Sequence, residues 1–165
     1  MLRARGARFV VTFGILLAAA PARPLLASPE VQNLNAQNLD TQNLNEFQLQ
    51  VDHQLNDAQA VLEQEGYVQV KRYVDTRGLG ETESHQWDLQ LDVGHSYVVT
   101  AVCDSDCADL DLVWYESGSE VVRDTESDAY PILTVSPSVG AQQMEVTMYG
   151  CEVEPCYYGF GVFRR

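Results

Sequence analysis

Positive charge is scarce in this chain: ten lysines and arginines stand against 24 aspartates and glutamates in 165 residues. So acidic a surface repels nucleic-acid phosphates and anionic lipids, and neither is expected as a partner. Long apolar runs are also missing. The one sustained stretch, Phe9 to Ala20, is shorter than the ~20 residues of a membrane-spanning helix. Signatures of catalysis are absent too. No Gly-x-Ser-x-Gly elbow occurs, and the three histidines, at 53, 85 and 95, lack the spacing of a zinc motif. The four cysteines can pair off, which leaves none as a nucleophile. An enzyme is therefore not expected, and a hydrolase would need a site of unrecognised type.

What is present begins with Arg3, Arg5 and Arg8, then the apolar run, then small residues up to Ala27. This pattern reads as a secretory signal peptide over residues 1–27. No cysteine follows the run, so a lipid anchor is not expected. Removing the leader takes four arginines and no acids, leaving six basic residues against 24 acidic, a net charge of −18. The protein is expected in the periplasm or outside the cell. Its acidity suits a solubilising surface, or partners such as cations, basic protein surfaces and neutral polymers.

The cysteines form two short loops, Cys103-Asp-Ser-Asp-Cys107 and Cys151-Glu-Val-Glu-Pro-Cys156. In an exported chain they read as two disulfides. The spacing suggests local pairs, Cys103–Cys107 and Cys151–Cys156. Cross-pairing of Cys103 with Cys151 and Cys107 with Cys156, or a four-thiolate zinc site, are the alternatives.

Residues 28–44 repeat Gln-Asn-Leu every five residues. That period turns leucine by about 140° per step around a helix and gathers no face, so a disordered tether is expected. Residues 45–66 change character. Asn45 and Gln48 fit a capping box, Phe47, Val51, Leu55, Ala58 and Leu62 make one apolar stripe, and Gly66 can end the helix. The stripe would pack on the same chain or pair with a second copy as a homo-oligomer.

From residue 67 to 165 the period falls to two, with Val68, Val70 and Val74 on one face and Tyr67, Lys71 and Tyr73 opposite. Short alternating strands continue to the end, divided by turns such as Gly94-His95 and Ser117-Gly118. The expected fold is mainly β: an antiparallel sandwich of seven to eight strands preceded by one amphipathic helix. Trp114 is expected between the sheets.

The segments Trp87–Val93, Gly94–Val102, Asp109–Glu116, Ser117–Arg123, Ile132–Pro137 and Met144–Phe163 follow one another in a recognisable order. Over residues 80–163 the chain resembles the bacterial pre-peptidase C-terminal domain, most specifically in Asp109-Leu-Asp111-Leu112. The resemblance implies a β-sandwich of a kind usually attached to secreted peptidases, some of which bind collagen or similar polymers. Here there is no peptidase domain, and the two cysteine loops are additions. The resemblance thus implies a stand-alone periplasmic or secreted relative to which catalysis does not carry over. The expected function is a non-catalytic binding or scaffold module for an envelope or extracellular protein or polymer.

Two sets of residues could carry recognition. If both cysteine loops emerge at one end, Asp104, Asp106, Asp109, Glu152 and Glu154 cluster at a tip. Such a cluster could hold Ca²⁺ as the one cofactor, although the loop lacks the glycine and distal glutamate of an EF-hand. Tyr115, Tyr149, Tyr157 and Tyr158 could form an exposed aromatic platform, or share themselves between surface and core by alternation.

Overall fold

The computed structural model describes residues 43–165. The expected signal peptide and almost all of the expected tether lie outside those residues. Helix α1 (Glu46–Gln64) is followed by β1 (Val68–Val74), β2 (Ser84–Leu89), β3 (Tyr97–Cys103) and β4 (Cys107–Glu116). Then come β5 (Ser119–Asp124), β6 (Ile132–Val135), β7 (Gln142–Cys151) and β8 (Tyr158–Arg164). Two four-stranded sheets result, ordered β1-β8-β3-β6 and β2-β7-β4-β5. Every pairing is antiparallel. Among the described residues no helix is long and apolar enough to cross a bilayer.

The inner faces of the sheets make the main core. Leu110 and Leu112 of the Asp-Leu-Asp-Leu strand point inward with Trp114, Met144, Val146 and Met148, all fully buried. Asp109 and Asp111 consequently fall on the outer face of the second sheet. Strands β3 and β8 are buried on both sides, because α1 covers the outer face of the first sheet.

The local chemistry of α1 explains both of its ends. Asn45 Oδ1 accepts from Gln48 N–H at 2.9 Å and Gln48 Oε1 accepts from Asn45 N–H at 3.0 Å, closing the capping box. At the other end Tyr67 N–H reaches the Leu62 carbonyl and Gly66 N–H reaches that of Glu63, both at 3.0 Å. This 6→1 and 5→2 pair needs a left-handed residue, supplied by Gly66 at φ +86°. Val51 and Leu55 bury against Val74 and Val102, and Leu62 against Val98 and Phe163. The apolar stripe is thus used within the chain. It approaches β8 closely because Gly159 has no side chain: a Cβ there would lie 2.8 Å from both Val51 Cγ1 and Leu55 Cδ1. Arg72 Nη2 of β1 ties the helix down, 2.6 Å from Asp52 Oδ1 and 2.8 Å from the Asp52 carbonyl.

Strand β1 departs from simple alternation. Its register with β8 shifts between Gln69 and Lys71, so Val70 is an extra residue. The three valines do not share a face. Val68 is 64 % exposed, Val70 sits in the bulge, and Val74 faces the helix while Tyr73 turns into the main core.

Candidate functional site

The two cysteine loops come together at one end of the sandwich. Disulfides join Cys103 to Cys107 and Cys151 to Cys156, as the spacing suggests. Cys107 and Cys151 are register partners on neighbouring strands, so the loops sit side by side. Glu152 N–H donates to the Asp106 carbonyl at 2.7 Å and fixes one loop to the other. The N-terminal end of α1 closes over the same tip. Gln50 Oε1 accepts from Ser105 N–H at 3.0 Å, and the Phe47 and Tyr157 rings lie nearly parallel with centroids 6.5 Å apart.

The five acidic residues of the tip have separate tasks. Asp104 is buried, not displayed: Oδ1 accepts from Asp106 N–H at 3.1 Å and Oδ2 from Tyr157 N–H at 2.6 Å. Burial pushes its carboxyl above the ordinary range, and these backbone donors oppose the rise. Glu154 Oε1 accepts from Glu81 N–H at 2.8 Å, joining the second cysteine loop to the loop before β2. Asp109 lies on the outer face of the second sheet near Asp111, and Glu152 is exposed. Among the described residues, no three aspartate, glutamate, histidine or cysteine side chains are grouped to hold a metal ion.

The four tyrosines divide as well. Tyr149 is half exposed on β7 and Tyr115 is partly buried on β4. Tyr157 packs beside the helix, and Tyr158 is fully buried, so it belongs to no exposed platform. Its hydroxyl instead accepts from Trp87 Nε1 at 2.9 Å and lies 2.9 Å from His85 Nδ1.

That contact is part of a polar network the sequence does not announce. Asp75 is fully buried and accepts from Tyr73 Oη at 3.2 Å, from Arg77 N–H at 3.2 Å and from Gly78 N–H. Arg77 Nη2 lies 3.2 Å from His85 Nε2. Burial first, and Asp75 second, push the Tyr73 phenol up to about 12, and burial drives Tyr158 upward too. Phenols so reluctant to ionise make poor bases and nucleophiles at neutral pH. The network locks the Asp75–Gly78 turn against the sandwich edge, where the Tyr73 and Trp87 rings pack tilted at 56° with centroids 4.0 Å apart. The only hint in the sequence was Asp75-Thr-Arg-Gly78, an aspartate placed to bond its own turn.

Between the helix start and the second cysteine loop lies a groove of about 250 Å³. Phe47, Tyr157 and Val153 are its apolar lining residues, and Glu46, Asp106 and Glu154 its acidic ones. Val153 is 63 % exposed although apolar. No family model matches the chain, and a search of curated proteins found none similar to it.

Proposed function

We propose that this is an exported, non-catalytic β-sandwich that binds a partner protein or polymer through its disulfide-braced tip. The observation that carries the reading is the joining of three separate segments at one end. Two cysteine loops and a capped helix start are fastened by Glu152–Asp106, Ser105–Gln50 and Tyr157–Asp104 hydrogen bonds. Pre-ordered loops lose little entropy on binding, which is what a recognition surface needs. The disulfides support an oxidising compartment. The inward leucines and outward aspartates of Asp109–Leu112 suit a pre-peptidase C-terminal domain-like sandwich. Calcium is the less favoured ligand, because Asp104 already spends both oxygens on backbone donors.

The test is capture from an envelope extract by the oxidised protein and by Val153→Lys, which places a positive charge in the exposed lining of a groove whose other charged residues are acidic. A partner held by the protein and lost with the variant is expected. Equal capture by both would remove the tip from the reading.

A further inference from the structure

We infer that the tip groove accepts a single arginine or lysine side chain, presented by a basic segment of a partner protein. This inference rests on the tip being the binding surface, and goes beyond it to the chemistry of the ligand. The first argument is size. At about 250 Å³ the groove falls below the ~300–1,000 Å³ of small-molecule sites, and suits one long side chain.

The second is the pairing of rings and charge. Phe47 and Tyr157 lie nearly parallel, at an interplanar angle of 16°. A cation within ~6 Å of such rings is attracted by their faces, while its aliphatic stem covers Val153. Among the described residues, Glu46 and Asp106 make no salt bridge, and they can receive the charged head. One effect opposes this: the start of a helix carries roughly half a positive charge. The carboxylates of Glu46, Asp106 and Glu154 together outweigh it several-fold, so the local field favours a cation.

The third argument eliminates the nearest rivals. The stretch preceding the helix, residues 28–44, contains Glu30 and Asp40 but no lysine or arginine. A second copy would bring another strongly acidic surface to an acidic rim. Neither matches the groove in charge, whereas a basic segment of another protein does.

The experiment titrates the oxidised, isotope-labelled protein with acetyl-Ala-Arg-Ala-Arg-Ala-amide and with the same peptide carrying citrulline for arginine. Amide shifts are expected at Phe47, across residues 105–107 and across residues 152–157. Affinity should fall at least ~10-fold for the citrulline peptide. It should fall comparably for the Glu46→Gln, Asp106→Asn double variant, and on raising salt from about 50 to 500 mM. Glu154→Gln, which keeps an acceptor for Glu81, should weaken binding by a smaller factor. An unchanged amide spectrum away from the tip shows that the variants fold. Equal binding of the two peptides, shifts scattered over other acidic faces, or no binding at millimolar peptide would overturn the inference. If Val153→Lys still abolishes partner capture under those results, only the cation is wrong. If it does not, the tip reading fails as well.

Discussion

Asp111 holds a carboxylate where the fold does not favour one. It is buried on the second sheet, and burial, then Asp109, then Asp124 push its pKa up to about 6. Because the folded value lies above the ordinary 3.8, the folded state binds the proton more tightly. The stabilisation is complete below about pH 4 and is lost as pH rises through 6. Asp111→Asn should therefore raise stability by about 1–3 kcal/mol at pH 7.5 and change little at pH 4. Urea unfolding at the two pH values measures this, and a variant less stable at pH 7.5 would contradict it. The pKa of Asp104 is raised by burial too, but its carboxylate is held by backbone donors. Asp104→Ala strands the Tyr157 and Asp106 amides and should cost about 2–4 kcal/mol, with faster exchange of the Tyr157 amide. From the sequence, Asp104-Ser-Asp106 is equally a metal loop or a turn clip, since both need short carboxylates beside backbone. Only the arrival of Tyr157, 53 positions away, decides it.

At the scale of elements, the helix and its stripe were legible in the sequence, and its destination was not. Capping box, apolar spacing and Gly66 are local signals. Docking depends on Gly159, which bares a strip of β8 beneath Val51 and Leu55. A glycine inside an apolar strand was the available sign of close backbone approach. It also accounts for Tyr158: in a strand covered on both sides, alternation does not sort surface from core. Gly159→Ala should lift the helix, lowering stability by about 1–3 kcal/mol. Amide exchange over residues 46–64 should accelerate more than that of β4 and β7, and uniform acceleration would argue against it. The bulge at Val70 escaped the period-two reading, because one extra residue leaves each half of the strand alternating correctly while exchanging their faces.

For the whole molecule, charge and crosslinks set the conditions under which it holds together. With 24 acidic residues against ten basic, like charges repel one another in the compact state, so stability should rise as salt is raised from about 10 to 200 mM. A falling thermal midpoint over that range would contradict this. Each disulfide closes a loop of only a few residues, worth about 2 kcal/mol by chain entropy. Cys151→Ser with Cys156→Ser should lower stability by about that much, and loosen the tip more than the core. The strand order has a further consequence, for the timing of assembly. The latest strand in the sequence, β8, lies inside the first sheet between two early strands, β1 and β3. A chain threaded outward from its N-terminus cannot close that sheet, or seat its helix, until residues 158–164 have emerged. On the proposed exported reading, translocation would therefore be nearly finished before this sheet can form and resist it.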